Sequence, residues 1–141
     1  MVREAADALF RAAAECCRQH DRASRIHVKA SLEAEVDAAQ RACEECDGSL
    51  RDLVELYERT AESVVPSGKD EDWWHGANAL WLASREYLRR HGGCDSSSKD
   101  LKDHSPERLN ALHTEYELEA SALLALRHAA EAYKRLRPSA A

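Results

Sequence analysis

Residues 105–136 read SPERLNALHTEYELEASALLALRHAAEAYKRL, and their apolar positions recur at steps of three and four. This is the spacing of a helix that buries one face, and here two such seams run side by side. The first seam is Leu109, Leu112, Tyr116, Glu119, Leu123, Leu126, Ala130 and Tyr133, and the second is Ala111, Glu115, Leu118, Ala122, Ala125, Ala129, Ala132 and Leu136. A helix with two apolar seams packs on two sides, so we expect it to be central in a bundle.

The composition of the chain supports an all-α class. Its 141 residues include 25 alanines and 16 leucines, but only five glycines, three prolines, six valines and one isoleucine. This leaves little β-branched material for strands. The sequence therefore predicts an up-down bundle of four or five helices in a single domain, residues 1–141.

Capping residues and glycines predict where the helices end. Ser105 suits the N-cap of the last helix. Gly48 suits the position after a helix end, and Gly92 with Gly93 predicts a second end, followed by a loop over 94–104. Residues 2–46 contain neither glycine nor proline, and one long helix is slightly favoured there over two.

The cysteines indicate reduced thiols in a cytoplasmic protein. The five are Cys16, Cys17, Cys43, Cys46 and Cys94, an odd number, and the N-terminus has no signal-peptide pattern. A turn near residue 22, the alternative to one long helix, still leaves Cys16 far from Cys43. We therefore expect that the cysteines share no metal site. The favoured interpretation is that they serve as small, buried apolar side chains.

The glutamates that interrupt the two seams define a candidate ligand pocket. Glu115 and Glu119 lie one helical turn apart, and a carboxylate in an apolar seam needs a partner. If the last two helices pair antiparallel, His75, Asn78 and Arg85 fall near the same level. The alternatives are that Arg85 neutralises one glutamate as a structural pair, or that both lie at the edge of the seam. The sequence has no Glu-x-x-His, which argues against a di-iron centre, and we expect no metal or cofactor.

Trp73 and Trp74 are consecutive, so they point about 100° apart on a helix. One of them can pack inward while the other anchors an interface with a second copy, and burial of both in the core is the alternative. Gly76, two positions on, predicts a close backbone approach or a weakened first turn.

Arg108 and His113 resemble the active-site motif of HEPN ribonucleases, in which an arginine precedes a histidine by a few residues. These enzymes are helical bundles whose site is completed across a dimer, and the resemblance implies ribonuclease activity. Arg22 with His27 and Arg85 with His91 have similar spacings. Leu109 stands where the family commonly has a polar residue.

The net charge of −6 argues against broad nucleic-acid binding, and no apolar run reaches membrane-spanning length. We therefore predict a non-catalytic, cytoplasmic interaction or scaffold protein that forms a homodimer. A small ribonuclease and a metal-binding or small-ligand-binding bundle are the alternatives.

Overall fold

The residues that the structure describes form four helices and no strand, so the fold is all-α, as the composition predicts. The computed structural model describes residues 2–28, 32–62, 64, 71–99 and 105–136, leaving aside the side chains of 27–28 and 93–99. The helices are α1 (Val2–Val28), α2 (Glu33–Ala61), α3 (Glu71–Lys99) and α4 (Pro106–Leu136).

The helices are arranged as two antiparallel hairpins, α1 with α2 and α3 with α4. Two contacts show that α4 runs antiparallel to α1. The Tyr133 hydroxyl donates a hydrogen bond to Asp7, and the Arg127 guanidinium donates one to Asp21, each across 2.6 Å. Helix α1 contacts all three other helices, whereas the described residues of α4 contact α1 and α3 but not α2. The last helix therefore occupies a corner of the bundle, and its expected central position is not observed.

The predicted start of the last helix is confirmed, but two predicted helix ends are wrong. The Arg108 amide donates to Ser105 Oγ across 3.2 Å, which is an N-cap contact. Helix α2 continues through Gly48, and α3 continues through Gly92 and Gly93. Glycine inside a helix costs only about 1 kcal/mol, and the burial of residues on both sides of it outweighs that cost in α2. These residues are Ala39, Cys43, Asp47, Leu50, Val54 and Tyr57.

Residues 2–46 also differ from the favoured single helix. They belong to two helices, and the connection lies between Val28 and Glu33 rather than near residue 22. The Leu32 carbonyl accepts the amides of Glu35 and Val36, and Glu33 and Glu35 place negative charge at the positive end of the α2 dipole. The sequence has no proline or glycine between these two helices, which is why its pattern did not determine where the connection lies.

Burial divides the bundle into two halves. We call residues 2–20, 47–61, 71–91 and 119–136 the core half, and the remaining parts of the four helices, next to the α1–α2 and α3–α4 connections, the loop half. Among the side chains described, only Ala39 and Cys43 are buried outside the core half. The largest fully buried side chains, Tyr57, Tyr87 and Tyr133, are all in the core half. Each contributes on the order of 2 kcal/mol through apolar burial, so stability is concentrated there.

Both tryptophans of the predicted interface are buried in this core. Trp73 is 6% exposed and Trp74 is 7% exposed, and their rings meet edge to face at 5.3 Å between centroids. Trp73 also lies 6.4 Å from the Tyr133 ring, and the Arg3 guanidinium covers its face. Their burial within one chain does not support an interface role and corresponds to the core alternative. Gly76 lies under the Leu136 side chain, so it does permit a close approach between α3 and α4.

Candidate functional site

Polar side chains from all four helices meet at the boundary between the core half and the loop half. We call this group the junction cluster, and it consists of Cys16, His20, Asp47, Tyr87, His91 and Glu119. It joins the two hairpins, because α1 and α2 supply the first three residues and α3 and α4 supply the others.

Asp47 is the centre of the cluster. It is only 4% exposed and occupies an apolar seam position of α2. The Tyr87 hydroxyl donates to Asp47 Oδ1 across 2.9 Å, and His20 Nε2 lies 2.5 Å from the same hydroxyl and 3.4 Å from the same carboxylate oxygen. Since the hydroxyl has one proton to donate, His20 Nε2 must carry a proton to complete this arrangement.

His91 lies between two carboxylates. Its Nδ1 is 2.9 Å from Glu119 Oε1, and its Nε2 is 3.3 Å from Asp47 Oδ2. The second contact is electrostatic, since Asp47 Oδ2 accepts no hydrogen bond from any residue that the structure describes. An imidazolium satisfies both contacts, whereas a neutral ring would turn a lone pair toward one carboxylate. The two ring nitrogens of His91 therefore face two different carboxylates.

The cluster is poorly suited to nucleophilic catalysis. Burial, followed by the neighbouring Asp47 charge, raises the pKa of the Cys16 thiol far above its ordinary value. The same two causes raise the pKa of the Tyr87 hydroxyl far above that of a free tyrosine. Both groups therefore remain protonated at neutral pH, and a protonated thiol is a weak nucleophile.

The expected separation of Cys16 from the segment that contains Cys43 and Cys46 is wrong in one respect. Because α1 ends at Val28 and α2 begins at Glu33, Cys16 of α1 comes close to Cys46 and Asp47 of α2. Cys16, Cys17, Cys43 and Cys46 are nevertheless free thiols. Within the described part of the chain, no three histidine, cysteine or acidic side chains are placed to hold one metal ion.

The structure does not bring the five predicted pocket residues together. His75 is exposed and lies 3.6 Å from Glu71 on its own helix. Asn78 and Arg85 both face α2. The Asn78 side-chain oxygen accepts a hydrogen bond of 2.8 Å from the Tyr57 hydroxyl, and the Arg85 guanidinium lies 3.5 Å from the Glu58 carboxylate. Neither Arg85 nor His75 is therefore seen to be the partner of Glu119.

The two seam glutamates have different surroundings. Glu119 faces His91, as described above, and its side chain is 19% exposed. Glu115 is partly buried, and its Oε2 atom is shielded from solvent without a hydrogen-bond partner among the described residues. Glu119 thus belongs to the polar site, whereas Glu115 lies on the loop-half part of α4.

The two residues of the ribonuclease-like motif point in different directions. They are five positions apart in one helix, which places them about 140° apart around its axis. His113 is exposed and pairs with Glu117 across 3.0 Å, whereas Arg108 is half-buried. The Arg85 and His91 pair is also separated, because Arg85 faces Glu58 and His91 faces Asp47.

Sequence reasoning identified Glu119 but missed the other members of the junction cluster as a site. The available signal was an acid in an apolar seam, which is the signal that identified Glu119. Asp47 is such an acid, since it lies between Cys43 and Leu50 at steps of four and three. The interpretation of Gly48 as a helix end concealed it by dividing that seam.

Comparison with known proteins identifies no relative. No family model, no curated protein sequence and no solved structure matches this chain. In the described residues, no helix combines the length and the apolar character needed to cross a membrane. The class that the fold and the site define is therefore a four-helix bundle with a buried polar junction.

Proposed function

We propose that this chain is a non-catalytic interaction protein that forms a homodimer through the loop-half part of α4. The observation that supports the proposal most directly is the exposure of an apolar seam. In the core half, this seam is covered, with Leu126 and Tyr133 fully buried. In the loop half, Leu109 and Tyr116 of the same seam are each 47% exposed.

Among the residues that the structure describes, the sequence of the neighbouring helix accounts for part of this exposure. The segment 21–25 near the end of α1 is mostly polar, with Asp21, Arg22, Ser24 and Arg25, and only Ile26 and Val28 after it are apolar. A largely polar segment offers few apolar side chains that could cover the leucines of α4. Leu32, at the start of α2, is 74% exposed as well.

A second copy of the chain is the occupant that fits this face best. In a two-fold dimer, one self-complementary patch serves both subunits, so an apolar seam needs no other sequence to match it. The part of α4 from 105 to 118 is about 20 Å long, which suits pairing of two antiparallel helices. This surface replaces the one predicted from Trp73 and Trp74.

The chemistry of the junction cluster favours a structural role for it. Cys16 and Tyr87 stay protonated, and the histidines are engaged with carboxylates. In this proposal the cluster holds the hairpins together where the four-helix core ends, and the loop half presents its surface to the partner. The free thiols and the net charge of −6 support a reducing, cytoplasmic setting and argue against nucleic acid as the partner.

Sedimentation equilibrium at tens of micromolar tests the proposal. We expect a dimer for the native chain and a monomer with unchanged helicity for the double variant Leu109→Glu, Tyr116→Glu. Leu82→Glu on α3 is the matched control, since Leu82 is 56% exposed but lies on another helix in the core half, and this variant should remain dimeric. A native monomer, or equal dissociation in the control, would contradict the proposed interface.

A further inference from the structure

An exposed histidine and an exposed glutamate lie side by side on the loop-half part of α4. His113 Nε2 is 3.0 Å from Glu117 Oε1, and the two side chains are 73% and 67% exposed. Both residue types are zinc ligands, and in a tetrahedral site with bonds of roughly 2.0–2.1 Å the neighbouring ligand atoms are roughly 3.3 Å apart. The pair can therefore take up one zinc ion with only a small movement of either side chain.

One such pair is half of a zinc site. Structural zinc sites use four ligands, so two side chains on one helix hold the ion only weakly. Within the ranges that the structure describes, no three histidine, cysteine or acidic side chains of one chain can hold a metal ion. A second copy of the His113 and Glu117 pair supplies the two ligands that are missing.

The pair lies at the edge of the seam through which the dimer is proposed to form. At about 100° per residue, His113 is about 40° from Leu109 and about 60° from Tyr116 around the axis of α4. Glu117 is displaced from the seam toward the same side, because it follows His113 by one helical turn. Along the helix, His113 lies next to the midpoint between Leu109 and Tyr116.

The symmetry of that dimer brings the two pairs together. When two antiparallel copies of one seam cover each other completely, the two-fold axis passes through the midpoint of the seam. Rotation about this axis leaves each edge of the seam on the same side of the dimer, so His113 meets His113 of the second copy there. Each Glu117 approaches the axis from an opposite direction along the helices.

From these observations we infer that the dimer binds one zinc ion on its two-fold axis, with His113 and Glu117 of both copies as its four ligands. The inference rests on the proposed function, because only a dimer through this face completes the site. Two imidazole nitrogens and two carboxylate oxygens form a tetrahedral set of zinc ligands. Since the monomer offers two ligands and the dimer offers four, zinc binding stabilises the dimer.

Sedimentation equilibrium of the reduced protein, first with a chelator and then with excess zinc chloride, tests the inference. We expect zinc to lower the dissociation constant of the dimer roughly tenfold or more, and magnesium, which prefers oxygen ligands, to leave it unchanged. His113→Ala should remove the response to zinc. His75→Ala is the matched control and should respond like the native chain, because His75 and Glu71 form a similar exposed pair, 3.6 Å apart, on α3.

The possible results distinguish the zinc site from the dimer on which it depends. A native dimer whose dissociation constant does not change with zinc would overturn the zinc site alone. A response to zinc that persists in His113→Ala, as binding to the cysteines would give, or that is lost equally in His75→Ala, would also overturn it. A native chain that stays monomeric both with the chelator and with zinc would contradict the dimer, and the zinc site with it.

Discussion

The Tyr87 hydroxyl donates a hydrogen bond of 2.9 Å to Asp47, and this contact joins one helical hairpin to the other. Tyr87 is fully buried and Asp47 is 4% exposed, so solvent does not reach the bond readily. A buried carboxylate that loses a donor retains its desolvation cost without the compensating contact. The bond is therefore the most direct test of whether the junction cluster stabilises the bundle.

Tyr87→Phe should lower the free energy of unfolding by about 1.5–3 kcal/mol, the range for a hydrogen bond to a charged group. Urea denaturation followed by circular dichroism measures the change. Tyr116→Phe is the matched control, because it removes a hydroxyl from a side chain that is 47% exposed in the single chain and keeps the ring that the proposed dimer contact uses, so it should alter stability by less than about 0.5 kcal/mol. Equal effects of the two substitutions would show that Asp47 does not depend on Tyr87.

His91→Phe should cost about 1–3 kcal/mol, because the carboxylates of Asp47 and Glu119 lose the imidazole contact that partly compensates their desolvation. The loss at Asp47 is partial, since the Tyr87 hydroxyl still donates a hydrogen bond to it. In a double-mutant cycle with Glu119→Gln, the two losses should be less than additive, because the two side chains are in contact.

Arg85→Ala is the control for the His91 experiment. The sequence suggested Arg85 as the partner of Glu119, but its side chain is 55% exposed and faces Glu58 and the Trp81 ring. Exposed ion pairs contribute little, so this change should cost less than about 1 kcal/mol. If Arg85→Ala destabilised the protein more than His91→Phe, the assignment of the Glu119 partner would be wrong.

Gly48→Ala should stabilise the protein by about 0.5–1 kcal/mol, because alanine is the better residue inside a helix. Gly48 lies within α2, and a methyl group added there has no atom within 4 Å beyond its own helical surroundings. Thermal unfolding measures the effect, and Gly92→Ala in α3 should behave similarly. A decrease in stability would instead support the helix end predicted from the sequence.

The fold class and the last helix could be predicted because local signals and packing agree there. Ser105 caps α4 as its residue type suggests, and the apolar period from Leu123 to Tyr133 coincides with the covered face. The continuation of the helices through Gly48 and Gly92 could not be predicted, because glycine ends a helix only where tertiary packing does not stabilise the helix beyond it. In α2, Leu50 and Val54 continue the seam of Cys43, and tertiary burial prevails over local preference.

Most of the junction cluster could not be predicted from the sequence, for a topological reason. Its members come together only when the α1–α2 turn is correctly placed, since that turn aligns His20 with Asp47. A turn near residue 22 moves the partner of His20 by many positions along α2. Glu119 was found because its seam could be followed without knowing any turn, whereas its partner His91 depends on how α3 and α4 are aligned.

The stability of the protein should decrease at alkaline pH through the buried Cys43 thiol. Burial is the main cause that raises the pKa of Cys43 from 9.0 to about 11, with the Asp47 charge adding to it. A raised pKa means that the folded state holds the proton more tightly, so the contribution is fully present below pH 9 and is lost as pH rises toward 11. Urea unfolding at pH 9 and pH 11 should show the decrease, and Cys43→Ala should make it smaller. The difference in ultraviolet thiolate absorbance between the native chain and this variant should have its midpoint near pH 11. A midpoint near pH 9 would mean that the thiol is open to solvent and that α1 and α2 do not pack closely at this level.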